Sequence, residues 1–149
     1  CFTFPREVFV KDGKVCQKPV RELDAKKQQL QDVQNELTQS GCPVYEVNVD
    51  EIKENHFQAV LSDELILDYE NGRFQMHFTN KSKTSVSAGR SLRYAKVDTL
   101  ENVKILADTS SVEVFVNDGE FVFSTRYYPN DYKIVVHSPS AHITFDKIQ

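Results

Sequence analysis

From residue 43 to the C-terminus, apolar side chains recur at every second position, which is the repeat of a strand with one face turned to a core. Two hairpins set the register. Around Asn71-Gly72, a two-residue loop places Leu65, Leu67, Tyr69, Phe74, Met76 and Phe78 on one face and Ile66, Asp68, Glu70, Arg73, Gln75 and His77 on the other. Burying those six apolar side chains is worth on the order of 10 kcal/mol before entropy, so a one-residue slip is strongly disfavoured. Around Asp118-Gly119, the same logic sets Val116 opposite Phe121, Val114 opposite Phe123 and Val112 opposite Thr125. The reverse face pairs Phe115 with Val122 and Glu113 with Ser124, a half-apolar surface that suits a central strand rather than an edge.

The same alternation marks strands at 45 to 49, 57 to 61, 92 to 97, 103 to 107, 132 to 137 and 141 to 145. Residues 79 to 91, TNKSKTSVSAGRS, are polar and predict a surface loop with a short edge strand near Val86. Roughly ten short strands separated by turn residues predict an all-β domain, an antiparallel two-sheet β-sandwich over 43 to 149.

The N-terminal third reads differently. Phe2, Phe4, Val8 and Val10 lead to a turn at Asp12-Gly13, and Val15, Cys16 and Gln17 return from it, predicting a β-hairpin over residues 1 to 19. Pro19 then opens a stretch in which Leu23, Leu30, Val33 and Leu37 fall near one helical face, and Ser40-Gly41-Cys42-Pro43 stops it. One linker α-helix over 20 to 42 is therefore expected between the hairpin and the sandwich. The hairpin exposes Phe2, Phe4 and Phe9 unless something covers them. It either folds back on the sandwich and helix or pairs with the same segment of a second copy; the short link at 18 to 21 favours a homodimer.

A chain of 149 residues with 27% charged residues and a formal net charge of -4 offers no basic stripe for phosphates, and no apolar run is long enough for a membrane helix. Neither nucleic acid nor membrane is an expected partner. No signal peptide is visible, although a chain beginning at Cys1 rather than Met is expected to have lost its natural N-terminus. Cys1, Cys16 and Cys42 are odd in number and lack metal or redox spacing, which predicts free thiols and a cytoplasmic setting, with secretion as the alternative. The histidines at 56, 77, 137 and 142 are scattered over different strands, so no metal site and no cofactor are predicted.

Two stretches carry a resemblance. D-x-SSVEVFVNDGE followed by STRYYP, with FTFPREVFVKDGKVCQKPVREL at the N-terminus, resembles the C-terminal β-sandwich of family 32 glycoside hydrolases of the invertase and sucrose-6-phosphate hydrolase type. Between 24 and 107 the likeness is loose; Thr109 stands where the family has a basic residue, and Phe78-Thr79-Asn80 where it has an acidic-basic pair. The resemblance implies that residues 1 to 19 are the remnant of a last propeller blade and that the chain is a module bracing its own N-terminal propeller. It implies a retaining, two-carboxylate hydrolysis of sucrose or sucrose 6-phosphate carried by that propeller. The family's nucleophile run Asn-Asp-Pro-Asn-Gly, its Arg-Asp-Pro and its Glu before Cys are all missing here, so no catalytic residue is expected. Asn117-Asp118-Gly119 and Asn130-Asp131 read as turn chemistry.

Glu113 is the one acid set mid-strand among apolar residues and needs a partner, for which Arg126 on the same ribbon is a candidate. With Phe2, Phe4 and Phe9, these two make up the expected interface set. Tyr127, Tyr128 and Tyr132 cluster around a turn and are the candidates for stacking on a sugar, which would make the chain a lectin-like module gripping fructan or sucrose.

Overall fold

The computed structural model describes residues 3–79 and 91–149; Phe2, Asn80 and the expected edge strand near Val86 lie outside the described residues. Twelve strands are present among them: β1 (Arg6–Lys11), β2 (Lys14–Pro19), β3 (Lys27–Gln39), β4 (Tyr45–Asp50), β5 (Gln58–Leu61), β6 (Leu65–Glu70), β7 (Arg73–Phe78), β8 (Leu92–Lys96), β9 (Val103–Ala107), β10 (Ser111–Val116), β11 (Phe121–Arg126) and β12 (Ile134–Ile148).

β12 organises the sandwich. Its first half pairs with β5 and its second half with β4, so the order β11-β10-β9-β4-β12 continues into β12-β5-β6-β7-β8. The path folds over on itself. Phe74 of β7 meets Phe123 of β11 with ring centroids 5.4 Å apart, and the Arg93 guanidinium of β8 donates to the Ser124 carbonyl of β11. Two facing sheets, one holding β4 and β9–β11 and the other β5–β8, thereby close on a single core. Val112, Val114, Val116 and Phe123 are buried there with Leu65, Leu67, Phe74 and Met76, and Phe121 packs against them.

The hairpins keep the register that the alternation predicts. Glu70 pairs with Arg73 across Asn71-Gly72, and Lys11 with Lys14 across Asp12-Gly13. Val116 lies opposite Phe121 and Val114 opposite Phe123, but the connection is a four-residue turn in which Asn117, Asp118 and Gly119 all have positive φ. The segments at 132 to 137 and 141 to 145 are one strand. Ser138-Pro139-Ser140, which reads as a break, is absorbed where the pairing of β12 with β3 shifts between Ser138 and His142.

The linker α-helix expected over 20 to 42 is absent. A 3₁₀ turn at Arg21–Lys26 leads directly into the thirteen-residue strand β3, which runs antiparallel along the free edge of β12. Two facts explain it. Val33 and Leu37 are four residues apart, which is about one helical turn but also two strand repeats, so both point inward from β3. The long edge of β12 also offers a row of unpaired backbone groups, and satisfying them outweighs the few tenths of a kcal/mol by which Gln and Lys favour a helix. Leu30, expected on the buried helical face, is skipped at a register shift and stands 43% exposed.

A candidate docking joint at the 117–120 turn

Every residue of β10 is buried, although a strand in a two-layer sandwich needs only one covered face. The second cover comes from the N-terminal segment. The β1–β2 ribbon and the 3₁₀ turn lie on the outer face of the sheet that holds β10, where Leu106, Phe115 and Ile148 form a small cluster with Phe4, Leu23, Val44 and Val122. Of the two covers expected for the ribbon, the fold-back onto its own sandwich is thus present. Val20 donates to the Pro5 carbonyl at 3.1 Å, one rung beyond the Arg6–Pro19 pair, and closes the open end of the ribbon.

The 117–120 turn is the seat of this contact. Its Gly119 carbonyl accepts the Gln17 amide at 3.1 Å, and a Cβ built on Gly119 would stand 1.7 Å from the Gln17 carbonyl oxygen. Glycine is needed there twice, once for φ +85 and once for the close approach of a second backbone. Asp118 pairs with Lys11, and Glu120 takes the Lys14 ammonium at 2.7 Å. On the other side the turn is tied to the 99–102 loop. The Asn117 carboxamide accepts from the Glu101 amide at 2.8 Å and donates to the Thr99 carbonyl at 2.7 Å, while Asn102 and Asp118 exchange two hydrogen bonds.

Glu113 supplies the second anchor. Its side chain is 1% exposed, and its carboxylate accepts from the Phe4 amide at 2.9 Å and from Arg6 Nε at 3.2 Å. Arg6 also donates to the Ser124 hydroxyl at 2.7 Å and the Gln17 carboxamide at 3.1 Å, and its guanidinium lies 5.4 Å from the centre of the Phe115 ring. A buried carboxylate without such partners would cost several kcal/mol, so Glu113 commits the chain to holding Arg6 in place. Arg126, expected as the partner, instead lies exposed opposite Ser111, at the far end of β11 from the turn.

A second buried acid lies further along the same sheet face, held by the sandwich's own residues. Glu46 of β4, also 1% exposed, receives Lys27 at 2.9 Å, Lys104 at 3.3 Å and the Asn48 carboxamide at 3.0 Å. Burial pushes the Glu46 carboxyl up, but these donors more than reverse it, and it titrates below its ordinary range.

Of the interface set, Phe4 and Phe9 are half-buried at this joint, with Phe9 under the Lys18 ammonium at 5.4 Å. Tyr127 is not available to stack on a sugar: it is 3% exposed, packs in the core and donates to the Ser62 hydroxyl at 2.6 Å. Tyr128 is 45% exposed and Tyr132 half-buried, so the three do not form one platform. Arg6, Asn117 and the docking role of Gly119 are what sequence reasoning misses. The one available signal is the density of polar and turn residues in NDGE directly after a fully apolar strand.

Comparison with known proteins agrees with this architecture. The chain is 32% identical to the raffinose invertase of Escherichia coli over 142 residues, covering 87% of this chain and 29% of that protein. It is 30% identical to the sucrose-6-phosphate hydrolase of Escherichia coli over 141 residues, with the same coverage. The chain therefore spans less than a third of these relatives. Among solved structures it superposes on the sucrose-6-phosphate hydrolase from Lactobacillus gasseri with a TM-score of 0.83 at 17% identity, covering 97% of this chain and 33% of that one. A family 32 glycoside hydrolase from Bifidobacterium adolescentis gives a TM-score of 0.79 at 18% identity, covering 99% of this chain and 25% of that one. Residues 62–149, more than half of the chain, match the family described as glycosyl hydrolases family 32 C terminal, and the chain belongs to that family.

Proposed function

We propose that this chain is the non-catalytic C-terminal module of a larger fructoside-cleaving glycoside hydrolase, and that it braces the domain preceding it in that protein. The observation that carries this reading is the β1–β2 ribbon. It is clamped to the sandwich at Gly119, Glu113, Asp118 and Glu120, yet Val8, Val10 and Val15 share a face that is 65 to 71% exposed. A ribbon held this firmly while displaying three valines suits a joint with a further layer to add. Among the described residues β1 pairs only with β2, which leaves its other edge available to a strand from the catalytic domain. The relatives hydrolyse, by their names, raffinose or sucrose 6-phosphate; a sucrose-type fructoside is the substrate this reading carries over to the parent. The buried free thiols of Cys16 and Cys42 support a reducing, cytoplasmic compartment.

The test uses two proteins. The chain alone releases no reducing sugar from sucrose, sucrose 6-phosphate or inulin, because none of the family's acid motifs is among its residues. Turnover that disappears on mutation of one of its own acids would overturn this. In the full-length parent, Val10→Asp lowers thermal stability, whereas in this chain it changes little. Equal, negligible effects in both would remove the brace.

A further inference from the structure

Between the ribbon and the outer face of β4 and β9 lies a cleft of about 480 Å³, within the size range of small-molecule sites. We propose that this cleft binds a small neutral sugar. The proposal does not rest on the bracing role, since every residue it uses belongs to this chain.

The two walls differ in chemistry. Phe9 and Pro19 of the ribbon, with Phe115 beneath them, supply an apolar surface. Opposite them stand Asn48, Asp50 and Lys104. Asn48 and Lys104 are directly paired across β4 and β9, and Asp50 follows Asn48 by two residues, hence on the same face.

These polar groups keep bonding capacity in hand. The Asn48 amide nitrogen is used by Glu46 and Thr144, which leaves its carbonyl oxygen as an acceptor. Lys104 gives one contact to Glu46 at 3.3 Å and retains further protons. The Asp50 side chain makes no hydrogen bond or ion pair among the described residues; partial burial pushes its carboxyl up, with His142 and Lys104 attracting it only from a distance. Together a carboxylate, an amide oxygen and an ammonium at one wall of the cleft provide acceptors and a donor for the hydroxyls of a polyol. The apolar wall suits the C–H face of the same ring.

Other ligand classes fit less well. Three lysines line the cleft, but Lys11 is held by Asp118, Lys18 by Glu7 at 3.5 Å and Lys104 by Glu46, and Asp50 and Asp118 face them. An anion therefore finds no uncompensated cation. A wholly apolar ligand would strand the Asp50 carboxylate.

The experiment is a titration of this chain with fructose, glucose and sucrose, followed by NMR of backbone and side-chain amides. Saturable shifts at Asn48, Asp50, Asn102 and Lys104 are expected with at least one of the three. Asp50→Ala and Phe9→Ala each weaken that binding about ten-fold, the loss of one good contact. Tyr128→Ala, just beyond the C-terminal end of β11 and outside the cleft, leaves it unchanged. Asp50 sits on the sheet surface, so a melting curve matching the parent chain confirms that its variant is folded. No saturable shift with any of the three sugars at ~100 mM, far weaker than a millimolar site, overturns the proposal. So do shifts centred on Tyr128, or displacement of the sugar by inorganic phosphate, which would mark an anion site.

Discussion

Replacing Gly119 with alanine tests the joint directly, because Gly72 provides a control of the same kind. Both glycines sit in hairpin turns with similar backbone angles, φ +85 and φ +75. A Cβ at Gly72 meets nothing within 4 Å, so Gly72→Ala measures only the cost of left-handed backbone, about 1–2 kcal/mol. At Gly119 the same methyl falls 1.7 Å from the Gln17 carbonyl oxygen and 2.7 Å from its carbon, both backbone atoms that no rotamer change can clear. The ribbon must lift. Lifting it breaks the Gln17–Gly119 hydrogen bond, worth about 1 kcal/mol, and strains the Arg6–Glu113 pair. Stripping a buried carboxylate of its partner costs about 3–5 kcal/mol when water cannot replace it, and less here because a lifted ribbon admits water. Gly119→Ala should therefore cost between about 1 and 4 kcal/mol more than Gly72→Ala in urea denaturation. The amides of β1 and β2 should lose hydrogen-exchange protection while those of β6 and β7 keep theirs. If the two variants agree within about 0.5 kcal/mol and ribbon exchange is unchanged, the close approach is not what holds the ribbon.

Two further outcomes follow from the packing of β3 and β4. Leu37→Ala, at 1% exposure, should cost about 2–5 kcal/mol, whereas Leu30→Ala, at 43%, should cost little; similar losses at both would indicate the amphipathic helix instead of β3. Glu46 titrates below its ordinary range, so its contribution is fully present above the unfolded value of about 4.3 and fades as pH falls through the lower folded value. Glu46→Gln should lower stability at pH 7 and flatten the acid limb of the stability curve below pH ~4. Asp50 and Asp146, raised by burial, act in the opposite sense, and an unaltered acid limb in Glu46→Gln would refute the assignment.

The sandwich was legible in the sequence because its information is local. An Asn-Gly or Asp-Gly turn fixes where two strands meet, and alternation of period two then fixes which side chains share a face. β3 was not legible, because its reason for being a strand is the edge of β12, about a hundred residues away, and its own Val33–Leu37 spacing suits either structure. The joint divides in the same way. That Glu113 is buried and needs a partner follows from its neighbours in β10; that the partner is Arg6, 107 residues earlier, follows from nothing near either residue. Gly119 hides its second role behind its first, since a turn already accounts for a glycine there. The tyrosine cluster misled because adjacency in sequence alternates sides in an extended chain, and Tyr127 and Tyr128 part company at once.

The two acids buried on the outer face of one sheet, Glu46 and Glu113, are each met by a cation from earlier in the chain, Lys27 at the head of β3 and Arg6 on the ribbon. Apolar pairs of the same size would hold the layers together at least as well, because desolvating the charges cancels much of their attraction. What the charges add is position. A two-stranded ribbon lying on a sheet can slide along it with little change in apolar contact, but not without leaving a carboxylate alone, and the Gly119–Gln17 approach permits only one seat. On the opposite sheet, among the described residues, the outer face shows Asp68, Gln75 and His77, none of them fully buried, and no carboxylate there is met by a cation from the ribbon. The sheet that holds β10 thus carries a ribbon fixed in register on its outer face. The exposed valines lie on that ribbon, so under the proposed bracing role the further layer would dock on that side, and rigid seating of the ribbon would pass the sandwich's orientation to it.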